Sequence, residues 1–331
     1  MNSARKFTSE LGPFIASYLA LKQALGRIYR TEQDALTHLD RFLSAQTPMN
    51  ARLTTKTFAL WSSTFEHLTP TVRRNRMRIA RNLCLYRQRS EPACFIPDAA
   101  DFPRPRKAQP PYLFTEEQIG RLLAAADQLR PASTSPLYGQ GLRLAIVLLY
   151  TSGLRRGELV RLTIGDYDVG ERTLSIRDTK FHKSRLVPLS TDAVREINSY
   201  LKARRRLPHS PGEPLLCNCH GRLRPYTGAG IAQGLCRLFV QAGVHTSQGR
   251  LPRIHDLRHT FALEALRRWY RAGVDVQAKL PALATYMGHV SVVSTQYYLA
   301  LVEPFTNEVG ERFAKHCECL LVPSTATGGV S

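Results

Sequence analysis

Six prolines fall between Pro92 and Pro111, at positions 92, 97, 103, 105, 110 and 111. A ring-locked φ and a missing N–H keep such a stretch out of a helix interior and favour extended backbone. The chain must therefore close one core before this segment and another after it. With 331 residues there is enough apolar side chain for two domains. Arg104, Arg106 and Lys107 make the segment a basic linker, expected over residues 92–111.

The two sides differ in pattern. Before the linker the periodicity is helical throughout, with helices expected at 9–26, 31–45, 55–66 and 71–89. Turn signals separate them, such as Thr47-Pro48 and Thr69-Pro70. After it, Thr115-Glu116-Glu117-Gln118 has the form of a capping box, and Ile119, Leu122 and Leu123 supply an apolar face. A buried helix over Leu142–Tyr150 stops near Gly153. Three strand candidates follow at Arg161–Tyr167, Arg172–Arg177 and Ser184–Leu189. Helices are expected again at 191–206, 228–242, 256–272, 278–288 and 304–316. The fold class is mainly α with a small antiparallel β-sheet in the second domain, preceded by an all-α first domain. Residues 319–331 read as a disordered tail.

The charge names the kind of partner. A net charge of +20 with 43% hydrophobic residues describes a globular protein that binds a polyanion, most simply nucleic acid. Residues 1–100 carry 15 Lys and Arg against 7 Asp and Glu, and the remainder carries 31 against 19. Both halves are basic, as two domains gripping one duplex would be. The helix expected at 71–89 holds Arg73, Arg74, Arg76, Arg78, Arg81, Arg87 and Arg89 with no acid. Arg74, Arg78 and Arg81 share one face, while Met77, Ala80 and Leu83 form an inward stripe. Arg73, Arg74, Arg78 and Arg81 are the candidate DNA contacts; the alternative is a solvated basic face. The start MNSARKFTSELG lacks the apolar core of a signal peptide, and the longest apolar run, Leu144 to Tyr150, cannot span a bilayer. A cytoplasmic protein with reduced thiols and no membrane partner is expected. Cys217-x-Cys219-His220 and His316-Cys317-x-Cys319 have single-residue gaps that suit structural zinc poorly, so no metal is assigned.

The chemistry lies in His255-Asp256-Leu257-Arg258-His259, then Gly288-His289, then Tyr298. Cleaving a phosphodiester spreads negative charge over the non-bridging oxygens. Guanidinium forks match that geometry and stay charged. The leaving oxygen needs a proton and the nucleophile must lose one. His255 and Arg258 lie three apart and project from one helix face, whereas His259 is rotated by roughly 100° and is less firmly in the set. Each element alone is weak: a His-x-x-Arg pair can be a surface cluster, and Tyr298 a core aromatic.

Together they resemble a family. Thr151-Ser152-Gly153-Leu154-Arg155-Arg156-Gly157-Glu158-Leu159 resembles the first arginine box of the tyrosine recombinases of phage-integrase type. HDLRHTF at 255–261 resembles the second, MGH at 287–289 with a tyrosine nine residues on resembles the end, and Ser184–Leu189 resembles the strand after the family's lysine. The resemblance implies a SAM-like core-DNA-binding domain over residues 1–91 and a catalytic domain over 112–318. It implies that Arg155 and Arg258 clamp the scissile phosphate, His289 adds a hydrogen bond, and Lys180 protonates the leaving 5′ oxygen. His255 would assist proton transfer, Tyr298 would form a 3′-phosphotyrosyl link, and Glu158 would support the site. Lys183 remains open beside Lys180, and only the offset from His289 selects Tyr298 over Tyr297.

The implied activity is metal- and ATP-independent site-specific recombination, with no cofactor and with double-stranded DNA as partner. The spacing through Arg267 to Pro281 resembles members carried by mobile elements. A dimer on each site and a homo-tetramer at the synapse are implied, with sister recombinases or accessory proteins as further partners. Phe305, Val309 and Phe313 on the 304–316 helix would dock on a neighbour or pack in their own core. The competing readings are a type IB-like topoisomerase and an inactive DNA-binding relative.

Overall fold

The computed structural model describes residues 7–27, 29–46, 52–105, 109–131, 133–177, 184–218, 223–289, 295 and 298–299. The chain divides into two units, Met1–Gln109 and Pro110–Ser331.

The first unit is all-helical, as the periodicity predicts: α1 Gly12–Ala24, α2 Arg30–Ser44, α3 Thr55–Ser63 and α4 Pro70–Arg87. Thr54 caps α3 by a reciprocal pair of bonds with Thr57, and Pro70 opens α4 at a position where no N–H is required. Ile15, Leu36, Leu39, Leu43, Trp61 and Leu83 form the core. Burying each such side chain stabilises by about 1.5–3 kcal/mol. Buried Asp40 accepts from the Thr8 and Ser9 amides and the Ser9 hydroxyl, tying the chain entrance to α2. The inward stripe of α4 is Met77, Ala80 and Leu83, widened by Ile79 and Cys84.

The proline-rich segment is not a bare tether in its first half. Phe95, Ile96 and Ala99 pack on this core and Phe102 is buried in it. The Phe102 ring stacks on Phe58, and the Phe102 and Pro103 carbonyls accept from Arg74 Nη1. Proline forbids helix but not burial of the aromatics between prolines, which is why spacing alone suggests a linker.

The second unit is mixed. α5 (Glu116–Asp127) begins at the predicted capping box of Thr115 and Gln118. α6 (Tyr138–Thr151) runs through the centre and is buried almost all round from Leu142 to Leu149. After α7 (Arg156–Leu159) come β1 (Tyr167–Asp168), β2 (Thr173–Ile176) and β3 (Arg185–Pro188), an antiparallel sheet in the order β1-β2-β3. Leu174 pairs with Val187 and Ile176 with Arg185. α8 (Thr191–Ala203), a small ribbon of β4 (Cys217–Asn218) and β5 (Arg224–Pro225), α9 (Gly228–Gln241), α10 (His255–Arg271) and α11 (Val276–Met287) complete it.

One strand expectation fails. Over Arg161–Tyr167, Ile164–Asp166 form a 3-10 turn, and only Tyr167 joins the sheet. The Asp166 carboxylate accepts from the Thr163 amide and hydroxyl, a local bond that competes with a sheet ladder. The Ile164 amide donates to Glu213 and the Leu215 amide to Leu162, so this segment pairs with the 211–215 loop. Short α7 and the β4–β5 ribbon are too brief to leave a period in the sequence. The expected 304–316 helix, the 319–331 tail, Cys219, His220, Cys317 and Cys319 lie outside the described residues. Among the described residues no helix is long and apolar enough to cross a membrane.

Candidate active site

The site forms where three helix ends meet. α6 stops at Gly153, whose φ of +58° is the left-handed region that favours glycine. A Cβ there would meet the Phe261 ring at 2.5 Å. The chain then extends through Arg155, which precedes the first residue of α7. Glu158, at the third position of α7, accepts from the Arg155 amide at 2.9 Å and from Arg155 Nη1 at 2.8 Å. One buried carboxylate thus caps the helix and orients the guanidinium.

Arg258 lies in the first turn of α10 and is 1% exposed. Its Nη1 donates to the Gly153 carbonyl and its Nη2 to the Met287 carbonyl at 2.7 Å. Arg155 Nη2 donates to the Gly288 carbonyl at 2.6 Å. Arg185 Nε donates to the Tyr286 carbonyl at 2.7 Å. Three arginines from three different elements therefore each take one of three successive carbonyls at the C-terminal end of α11. Those carbonyls have no partner within the helix and carry its negative dipole end. Gly288, at φ +66°, makes the turn possible: a Cβ there would lie 2.6 Å from Arg185 Nη1 and 3.3 Å from Arg155 Nη1.

Arg185 is the residue that sequence reasoning missed. It grips both Glu158 oxygens, at 3.0 and 2.9 Å, and so ties β3 to the Arg155 guanidinium. A signal existed. Arg185 and Val187 alternate on one face of a strand, and Val187 is buried, so an arginine on that face needs an internal partner.

Around the one carboxylate of Glu158 sit Arg155, Arg185 and Arg258, which leaves an excess of two positive charges in the cluster. Burial and the nearby Arg155 cation push the Arg258 pKa down to about 10. Burial pushes the Glu158 carboxyl up, but bonds from Arg185 and Arg155 outweigh it and hold it at about 2. The histidines feel the same field. His255 and His289 are each lowered from 6.5 to about 4, by burial first and then, for His255, by His259 and Arg258, and for His289, by Arg258 and Arg155. Such a pocket, with forked donors, excess positive charge and neutral imidazoles, suits a phosphate dianion or diester.

His289 follows Gly288 and bonds Thr295 through Nδ1 at 2.7 Å. The Tyr298 ring lies parallel to the His289 ring, centroids 6.3 Å apart, and is 2% exposed within the cluster of Leu263, Leu266, Leu283 and Met287. His259, the histidine held less firmly on helical phase, meets Tyr298: its Nδ1 is 2.8 Å from the phenol oxygen. Arg155, Glu158, His255, Arg258, His289 and Tyr298 thus come together in one unit. Lys180, Lys183 and Tyr297 lie outside the described residues.

The four arginines named for DNA contact are in the first unit, on α4. Arg78 is exposed; Arg73, Arg74 and Arg81 are half-buried. Arg73 lies 3.9 Å from Glu66, and Arg87 is paired with Glu10 and Glu91 and lies over the Phe14 ring. The helix therefore has acidic partners from other elements that its own sequence does not reveal.

The titration pattern has a consequence for stability. His255 and His289 stay neutral in the fold while the unfolded chain protonates near 6.5. Their contribution is complete above that pH and is lost as pH falls toward 4. Glu158, depressed to about 2, adds a second loss between roughly pH 4.5 and 2. The denaturant midpoint of the second unit is expected to fall steadily from pH 7 to pH 4, less steeply in His289→Gln. A midpoint flat over that range would contradict the assignment.

Residues 113–303 match the phage integrase family. The chain is 34% identical, over 92% of its length and 97% of the relative's, to the putative integrase/recombinase y4rB of Sinorhizobium fredii. It is 32% identical to the tyrosine recombinase XerC of Pelotomaculum thermopropionicum over 64% of this chain and 62% of that one. Among solved structures, a XerH site-specific recombinase on palindromic difH substrate matches with a TM-score of 0.62 at 18% identity, covering 86% and 79% of the two chains. The Tn1549 transposon integrase with circular intermediate DNA matches with a TM-score of 0.61 at 20% identity, covering 86% and 94%. These two likenesses concern the fold.

Proposed function

Because this chain belongs to the phage integrase family, we propose that the cluster on α6, α7, α10 and α11 is the centre of a site-specific DNA recombinase that cuts and rejoins strands through Tyr298. One observation carries the reading: Arg155 and Arg258 are fixed on the carbonyls ending α11, with the Tyr298 phenol in the same unit. Fixed cations need no reorganisation when charge develops on the phosphate. His289 adds a donor to the same oxygens. Lys180, the family's proton donor by position, would protonate the leaving 5′ oxygen. The ester to tyrosine retains the bond energy, so a second 5′ hydroxyl reverses the step onto a new strand without ATP.

The partner is double-stranded DNA. A dimer on each site and a tetramer at the synapse are part of the proposal, as is a role in the movement of a mobile element, consistent with the transposon integrase among its structural likenesses. We place the reaction in the cytoplasm with the DNA. The direct test incubates the protein with a nicked duplex in EDTA. A covalent adduct at a 3′ phosphate is expected, and an adduct that appears only on restoring a divalent ion would overturn the reading.

The α4 arginines separate into two classes in this proposal. Arg78→Ala is expected to reduce the salt slope of DNA binding by about one. Arg87→Ala is expected to leave that slope alone and lower stability, because Arg87 serves Glu10 and Glu91. Binding measured from 50 to 200 mM salt decides, and an unchanged Arg78 slope would return α4 to a solvated face.

A further inference from the structure

We propose that Arg185 is a positioning residue for strand cleavage: by neutralising Glu158 it keeps the Arg155 guanidinium for the scissile phosphate. The proposal rests on the recombinase reading above and deepens it. Glu158 sets a conflict at the site. Its carboxylate orients Arg155, yet it has the sign of the phosphate and competes for the same fork. An unopposed carboxylate would take Arg155 through both oxygens, the bidentate pairing that these groups favour.

The bond pattern shows how Arg185 prevents this. A carboxylate offers about four lone-pair sites, two on each oxygen. Oε1 of Glu158 accepts from Arg155 Nη1 at 2.8 Å and from Arg185 Nη1 at 3.0 Å. Oε2 accepts from the Arg155 amide and from Arg185 Nη2, each at 2.9 Å. Arg185 thus occupies one site on each oxygen. Arg155 reaches the carboxylate through a single side-chain nitrogen and gives Nη2 to the Gly288 carbonyl. The rest of its fork has no partner among the described residues, and its side chain is 33% exposed.

Charge and burial point the same way. The Arg185 side chain is 9% exposed and that of Glu158 2%, so water screens neither well. With Arg185 in place the carboxylate is cancelled, and the cations of Arg155 and Arg258 both stand against the phosphate. Without it, Glu158 would cancel one of those two. Arg185 does not itself face DNA: Nη1 and Nη2 are on Glu158, and Nε is on the Tyr286 carbonyl. It acts through Glu158 and Arg155. The Tyr286 carbonyl precedes those of Met287 and Gly288, which hold Arg258 and Arg155, so one helix end fixes all three guanidiniums.

Arg185→Met tests this, because it keeps an unbranched stem and removes the cation. Single-turnover cleavage of a nicked duplex is expected to slow by about 10²-fold, with DNA affinity within about twofold of wild type. Adding Glu158→Gln removes the carboxylate so exposed, and the double variant should cleave at least about tenfold faster than Arg185→Met alone. A bond that only held β3 in place would give no such rescue. The second readout is a substrate with a methyl group in place of one non-bridging oxygen. Its phosphorus centre is neutral, so the Arg185→Met defect should shrink there to within about threefold. A double variant no faster than Arg185→Met, or an equal defect on charged and neutral substrates, would overturn the proposal. Should Arg185→Met fail to fold, Glu158→Gln is compared with the double variant, which leaves no buried carboxylate unpaired. With nothing left to neutralise, Arg185 should then matter by less than about threefold, and a larger gap would overturn the proposal. Failure of the recombinase reading is seen separately, as the absence of any adduct with the unmutated protein.

Discussion

Tyr298→Phe is expected to abolish covalent capture of nicked DNA while leaving affinity for the intact duplex within about twofold. The substitution deletes one oxygen from a ring that is 2% exposed and packed against Leu263, Leu283 and Met287. Shape and burial are conserved, so the core should close as before. The phenol's bond to His259 is lost, a change of about 0.5–1.5 kcal/mol in stability. Affinity comes mainly from phosphate contacts elsewhere, which the change does not touch. Tyr297→Phe is the control and should cut normally. If it failed and Tyr298→Phe cut, the register read from His289 would be wrong by one. Denaturing gels of protein crosslinked to end-labelled DNA decide between these outcomes.

Arg258→Lys should lower the cleavage rate by roughly 10²–10³-fold, close to the effect of losing an oxyanion-stabilising donor. Formal charge is retained, so an effect this large isolates geometry from charge. Arg258 does three things with one planar group: it holds the Gly153 carbonyl, holds the Met287 carbonyl, and keeps a cation beside Arg155. An ammonium is a point charge on a flexible stem and cannot bridge two carbonyls of separate helix ends. The C-terminal ends of α6 and α11 would then lose their common tie. A lower unfolding midpoint is expected alongside the rate loss. Unchanged cleavage by the lysine variant would mean that Arg258 supplies charge alone. The Arg155→Lys variant is expected to behave less severely in stability, because Arg155 is a third exposed and Glu158 keeps Arg185 as partner.

The legible parts share a physical trait. Thr115 with Gln118, the Met77-Ala80-Leu83 stripe of α4, and the buried run of α6 are all stated by residues within one or two turns of each other. The candidate site residues are proposed from types that suit phosphoryl chemistry and from an order that resembles the family's. The pattern at Arg161–Tyr167 predicts a strand that does not form, because Asp166 offers its neighbours a local acceptor and the 211–215 loop competes for their backbone. Neither influence lies inside the apparent strand.

Local order in the chain determined the longer helices among the described residues and named the side chains whose chemistry suits a phosphodiester. Helical periods and capping bonds span three or four residues, so they can be read in line. Packing alone chose Arg185 as the bridge to Glu158 and His259 as the group meeting Tyr298. Those contacts join residues 27 and 39 positions apart, across separate elements. Their partners are set by how α10, α11 and β3 stack against one another, and no period along the chain encodes that.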